Sequence, residues 1–170
     1  MKPGLYAMQV RALLDAVRDR VAAGGKPIVE VMIPLTVSDD ELALARSWVV
    51  AAAEELDITS TLLIGTMIET PRAALVADRM AKDADFFSFG TNDLTQMTFG
   101  FSRDDVEAGF FSLYLEKGVF GVSPFESIDA EGVGRLVQIA STEGREIRPD
   151  LHLGVCGEHG GDPQSVWFCH

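Results

Sequence analysis

Cysteine and histidine are scarce in this chain: two cysteines, Cys156 and Cys169, and three histidines. A disulfide framework is excluded, and no thiolate or imidazole spacing for a zinc site is present. Each cysteine is instead a candidate working thiol. Basic residues are also few, with 14 Lys and Arg against 26 Asp and Glu and a net charge of -12. A nucleic-acid partner needs a basic stripe that releases counterions, so that function class is excluded. No apolar run reaches the roughly 18 residues of a membrane span. The opening Met1-Lys2-Pro3-Gly4 lacks the apolar stretch of a signal peptide. The expectation is a globular, cytoplasmic chain with no membrane partner. Apolar residues are what the sequence has in quantity, 47% of 170, enough for a sizeable core in one domain or a piece of a larger one.

Periodicity orders the elements. Tyr6 to Ala23 has helical apolar spacing and ends at Gly24-Gly25. The β-branched run Ile28 to Ile33 reads as a buried strand closed by Pro34, and Ser38-Asp39-Asp40-Glu41 has the form of a capping box opening a helix to about Leu56. Leu62 to Ile68 is a second strand, followed by Thr70-Pro71 as N-cap and first helical position and a helix over Ala73 to Ala81. Asp85 to Phe89 is a third strand, with a helix from about Asn92 to Phe99 that Thr91, Asn92 and Asp93 can cap. From Gly100 to Phe125 glycines punctuate aromatic residues. That stretch reads as an elaborated loop with a short helix over Ser112 to Lys117, either a lid or partner surface or aromatic packing under a long loop. A helix over Glu131 to Glu143 capped by Asp129, a fourth strand over Leu151 to Val155, and a helix starting at Asp162-Pro163 complete the order. Strands alternating with helices imply an α/β fold with parallel pairing.

Chemistry gathers at the strand ends. Glu69, Asp93 and Cys156 each follow a strand, which in alternating βα proteins places them on one rim. Two carboxylates suit a hard cation that keeps several waters and shares its other positions with an anionic ligand, which describes Mg²⁺ better than zinc. For either carboxylate alone, helix capping is the plainer role; recurrence at equivalent positions favours the metal. Cys156, between a strand and Gly157, can act as a proton donor or nucleophile, or be an ordinary buried cysteine. Glu158 and His159 are placed to hydrogen-bond or orient the thiol, although His159 reads equally as a structural loop histidine. Cys169 is assigned no role.

Three segments carry a resemblance: Ile64 to Ala73 around Glu69, Phe86 to Asp105 around Gly90-Thr91-Asn92-Asp93, and Gly154 to Pro163 around Cys156. They resemble the phosphoenolpyruvate/pyruvate barrel of the phosphoenolpyruvate-utilising enzymes. Gln96 to Arg103 and Gly157 to Gly161 are closest to the dikinase branch rather than to the synthases or the sugar phosphotransferase enzymes. The resemblance runs from about Tyr6 to Pro163. It implies the C-terminal part of an incomplete (β/α)₈ barrel over residues 1–170, in which pyruvate becomes its enolate and is phosphorylated by a phosphohistidine on a separate swivelling domain. By matching position it implies that Glu69 and Asp93 bind Mg²⁺, that Glu69, Gly90, Thr91, Asn92 and Asp93 contact the substrate, and that Cys156 donates the proton to the enol carbon. A homodimer of the longer enzyme, and a cytoplasmic or plastid location, are implied as well.

A complete barrel has eight βα units in about 250 residues, and four strands are legible here. The sequence therefore reads as a fragment, inactive alone, with an exposed sheet edge that favours self-association. None of His152, His159 or His170 matches the phosphocarrier histidine. Two other readings stand beside this one: a non-catalytic remnant using the Gly100 to Phe125 segment for dimer contacts, and a lyase or aldolase of the related pyruvate-enolate barrels.

Overall fold

A computed structural model describes residues 3–58 and 62–170; Met1 and Lys2 of the opening tetrapeptide lie outside the described residues. Strands β1 (Val29–Ile33), β2 (Leu62–Ile68), β3 (Phe86–Gly90) and β4 (His152–Cys156) form one sheet in the order β1-β2-β3-β4. Every pairing is parallel, with Ile33 opposite Thr66, Ile68 opposite Phe89 and Gly90 opposite Cys156. This is the α/β arrangement of part of a (β/α)₈ barrel, and parallel pairing puts all four C-terminal strand ends on one edge.

The helices follow the sequence signals with instructive differences. Helix α1 (Pro3–Ala22) packs on α2 (Asp39–Glu55), burying Val10, Leu14, Val49 and Ala53. Ser38 caps α2 by accepting from the Glu41 N–H, but the Glu41 carboxylate reaches back to the N–H of Val37 rather than Ser38. Thr70 caps α3 (Pro71–Leu75) through the Ala73 N–H, with Pro71 in the first turn as expected. The single helix expected over Ala73 to Ala81 is broken. β-Branched Val76 leaves helical dihedrals (φ -122°, ψ 26°) and its N–H splits between the carbonyls of Arg72 and Ala73, so α4 (Ala77–Met80) starts afresh.

Helix α5 (Thr91–Phe99) starts one residue early with Gly90 at its N-cap and no side-chain cap, so the capping expected of Thr91, Asn92 and Asp93 does not occur. Their polar atoms are engaged elsewhere, as described below. Gly100, at φ 67°, ends α5 in the left-handed conformation that suits glycine.

The Gly100 to Phe125 segment contains two short helices, α6 (Arg103–Ala108) and α7 (Phe111–Glu116), over a small core of Val106, Phe111 and Phe125. Phe99, Phe101, Phe110, Tyr114 and Phe120 join it through ring pairs with centroids 4.7 to 5.8 Å apart. The aromatic packing expected under a long connection is thus present in this segment. Asp129 accepts from the N–H groups of Gly132 and Val133 at the start of α8 (Val133–Ile147), and Asp162 caps α9 (Pro163–Cys169) through Ser165. No helix among the described residues is long and apolar enough to cross a membrane. The main core, with Leu42, Ile68, Phe87, Leu94, Val133 and Leu151, lies where the sheet meets the helices.

Asp85, just before β3, ties these layers together. Its Oδ2 accepts from the Ile64 N–H at 2.8 Å and from Arg46 of α2 at 3.1 Å, and its Oδ1 accepts from Arg148 after α8 at 2.7 Å. Arg46 also donates to the carbonyls of Ile64 and Asp83. Burial pushes the Asp85 carboxyl up, but the Ile64 N–H and the two guanidinium groups outweigh it and hold the group below the ordinary aspartate value of 3.8. Since the folded state favours the ionised form, this stabilisation is full above pH 3.8 and is lost as pH falls through the lowered value. Asp85→Ala leaves two arginines and an N–H without their acceptor and is expected to cost about 3 kcal/mol in urea unfolding at neutral pH, a loss that shrinks when the unfolding is repeated near pH 3.

Candidate functional site

The C-terminal edge of the sheet brings the sequence-predicted residues together around one glycine. Gly90 ends β3, is in register with Cys156, and packs so closely on Glu69 that a Cβ there would lie 2.7 Å from Glu69 Oε2 and from Met67 Sδ. Only glycine fits between the carboxylate and the strand.

Glu69 is 3% exposed. Its Oε1 accepts from the Leu35 N–H at 2.6 Å, and Asp93 is its acidic neighbour. The expectation that Glu69 faces the N-terminus of α3 is therefore corrected: Thr70 serves that helix, and Glu69 turns to the loop after β1. Burial pushes the Glu69 carboxyl above its ordinary value; the Leu35 N–H pulls it back, and the neighbouring Asp93 raises it further.

The loop that supplies this N–H is itself fixed. Leu35 has φ 51°, a left-handed conformation that disfavours a branched side chain. The buried Thr66 hydroxyl donates to the Ile33 carbonyl at 3.0 Å and meets the Thr36 hydroxyl at 2.8 Å, fastening the residues on both sides of Pro34-Leu35 to β2.

Asp93, in the first turn of α5, accepts from Gln96 Nε2 at 3.2 Å, and Gln96 Oε1 accepts from the Arg103 N–H at 2.8 Å. Asn92 accepts at Oδ1 from Arg103 Nη1 at 3.1 Å. The same nitrogen donates to Glu158 Oε1 at 2.6 Å, Arg103 Nε donates to Glu107 at 3.1 Å, and the guanidinium lies 5.4 Å from the centre of the Phe125 ring. Hydrogen bonding to Arg103 holds Glu158 below the usual glutamate range.

Cys156 is half-buried, and its thiol donates to the Phe89 carbonyl at 3.5 Å. Neither Glu158 nor His159 hydrogen-bonds the thiol, so the orienting role expected of them is not seen; Gly157 (φ 96°) turns the chain into a short 3-10 segment, Glu158–Gly160, and their side chains bond elsewhere. His159 is 2% exposed and lies between the Pro124 carbonyl, 3.0 Å from Nε2, and the Thr91 hydroxyl, 2.6 Å from Nδ1. A carbonyl only accepts, so Nε2 carries a proton. Thr91 also reaches the Cys156 carbonyl at 3.2 Å. His159 is thus the structural loop histidine, joining α5, β4 and the aromatic segment.

Among the described residues no group of three or more His, Cys, Asp and Glu can hold a metal ion. Glu69 and Asp93 form a pair only, so a cation here would take most of its ligands from water or a bound anion. The Leu35 N–H and Arg103 are not legible as site residues from residue type. Arg103 does stand in a quoted motif, and its spacing from Gln96 is the one signal that marks it.

Residues 1–170 match a family described as PEP-utilising enzyme, PEP-binding domain. The chain is 51% identical to pyruvate, phosphate dikinase 2 of Oryza sativa subsp. japonica over 170 residues, 98% of the chain and 19% of that protein. It is 49% identical to chloroplastic pyruvate, phosphate dikinase 1 of Arabidopsis thaliana and to pyruvate, phosphate dikinase of Rhizobium meliloti (strain 1021), covering 98% of the chain and 18% and 19% of those proteins. The chain thus spans about a fifth of the length of the curated relatives it matches. With a family match along the whole sequence, a parallel sheet in chain order and these strand-end residues, the chain belongs to the PEP-utilising enzymes and corresponds to their PEP-binding domain.

Proposed function

We propose that this chain is the part of a pyruvate, phosphate dikinase that binds pyruvate or phosphoenolpyruvate and handles the enolate, in an enzyme interconverting pyruvate, ATP and phosphate with phosphoenolpyruvate, AMP and diphosphate. The observation that carries the reading is the convergence on Gly90: a buried carboxylate packed against it on one side and a half-buried thiol in register with it on the other. Glu69 and Asp93 suit Mg²⁺, an oxygen-seeking cation that retains water and tolerates few protein ligands. The Leu35 and Gln96 hydrogen bonds orient the two carboxylates while leaving each an oxygen to spare. Bound there, the ion would supply Lewis-acid stabilisation of the negative charge that develops as pyruvate enolises.

The chain's own residues do the rest. Cys156 Sγ holds a proton against the Phe89 carbonyl, a long and weak hydrogen bond that is readily given up, and delivers it to the enol methylene carbon; in the other direction it removes one from the methyl group. Asn92, at the start of α5, contacts the ligand and Gly90 leaves room for it; Thr91, whose hydroxyl is held by His159 and the Cys156 carbonyl, contributes through its backbone N–H in the first turn. By the resemblance, phosphoryl transfer draws on a phosphohistidine elsewhere in the enzyme; His159 itself is buried and held by Thr91 and the Pro124 carbonyl. We assign that role to a separate domain, the full enzyme to a homodimer, and its location to the cytoplasm or a plastid.

Two outcomes follow for a full-length dikinase with this segment in place of its own. Cys156→Ala should slow Mg²⁺-dependent exchange of pyruvate methyl protons with deuterated solvent by roughly 10²- to 10⁴-fold, the usual weight of a positioned proton-transfer group, with Mn²⁺ affinity by electron paramagnetic resonance unchanged. Undiminished exchange would remove the thiol from the reaction. Asp93→Asn should weaken Mn²⁺ binding by at least about tenfold, and Gly90→Ala should do likewise by displacing Glu69; intact affinity in both would dismiss the carboxylate pair as the metal site.

A further inference from the structure

Arg103 belongs to none of the strand ends, yet it touches two of them. It opens α6, in the aromatic segment, and its guanidinium reaches Asn92 above β3 and Glu158 after β4 while its backbone N–H fixes Gln96. An arginine only donates, so the Asn92 atom facing it is the oxygen. That settles the orientation of an amide whose two ends are otherwise interchangeable. The Asn92 Nδ2 group makes no hydrogen bond among the described residues.

We propose that Arg103 is a positioning residue that locks the Asn92 amide with its N–H₂ end free for the ligand, making Asn92 a dedicated donor to an anionic oxygen. The inference rests on the reading of the Gly90 rim as an enolate site and adds the device that sets its polarity. An unlocked asparagine could turn its carbonyl toward the ligand and repel a carboxylate; a locked one cannot. Glu158 shares Nη1 with Asn92, Glu107 holds Nε, and Phe125 lies against the guanidinium, so its position is determined by both rim loops and by the aromatic core. The backbone bond to Gln96 extends the same control to Asp93, whose Oδ1 is thereby occupied. Side-chain substitution of Arg103 leaves that second route in place, which separates ligand recognition from metal binding.

The test uses the full-length chimera and two probes: Mn²⁺ alone, and oxalate, a planar dianion shaped like enolpyruvate, in the presence of Mn²⁺. Arg103→Ala should weaken oxalate binding measurably, by up to roughly 10- to 100-fold, the ceiling being loss of a hydrogen bond to a charged group, with Mn²⁺ affinity within about twofold of wild type. The double variant Asn92→Ala/Arg103→Ala should bind oxalate no worse than Asn92→Ala alone, because Arg103 acts through Asn92. Arg103→Lys keeps the charge without the planar fork and should resemble Arg103→Ala. Additive losses, rescue by lysine, or a parallel loss of Mn²⁺ affinity would each overturn the proposal. A ligand-free readout keeps it separate from the enolate reading: the side-chain amide resonances of Asn92, assigned by their disappearance in Asn92→Ala, should move in Arg103→Lys. Resonances that stay put would overturn the lock, whereas a wild-type protein that binds Mn²⁺ but not oxalate would overturn the enolate reading and the ligand role of Asn92 with it.

Discussion

A glutamate residue only 3% exposed, set beside a second acidic side chain, is the constraint from which much of this structure follows. Such a pair is unfavourable unless each oxygen is hydrogen-bonded or a cation lies between them. The chain meets the first condition in part: the Leu35 N–H holds one oxygen of Glu69, and the Gln96 side chain holds one of Asp93. Leu35 adopts a left-handed conformation to aim its N–H at Glu69, Thr36 and Thr66 pin the loop on either side, and Gly90 removes the atom that would collide with the carboxylate. Local strain, a buried hydroxyl pair and a glycine thus serve one side chain. The second condition is what the proposed Mg²⁺ would supply.

The opposite end of the sheet solves a similar problem in a different way. Asp85 is also partly buried, but guanidinium groups from α2 and from the end of α8 surround it, and its charge is compensated within the fold. The two acidic residues therefore move in opposite directions, Glu69 above its ordinary value and Asp85 below it. A compensated acid stabilises; an under-compensated one is poised to bind.

The strands and their strand-end residues were legible because they depend on local signals: β-branched runs, proline closure, and a change from apolar to polar in one step. Leu62 to Ile68 falls at its expected boundaries, and Thr70 and Asp162 cap as their positions suggest. The misses share a cause. Thr91, Asn92 and Asp93 have the composition of caps, but His159 claims Thr91 and Arg103 claims Asn92, competitors that no local rule contains, while Asp93 bonds Gln96 three residues on. The direction of Glu69 was missed for the same reason, since a carboxylate's choice of donor depends on what packs from other elements. The carboxylate pair was legible as two residues on one rim; the N–H that orients it, 34 positions away in sequence, was not.

The sheet order has a further consequence. Because β1, β2, β3 and β4 are hydrogen-bonded in the order in which they occur, each strand from β2 onward has its partner already in place when it emerges during synthesis. The sheet can grow in one direction without waiting for a distant segment. The longest wait is at the last step, where residues 91–151 separate β3 from β4. That interval contains the aromatic cluster, which can condense on its own local contacts and shorten the loop that must close. The segment that carries Arg103 to the rim is thus also a means of bringing β4, and Cys156 with it, back to the sheet.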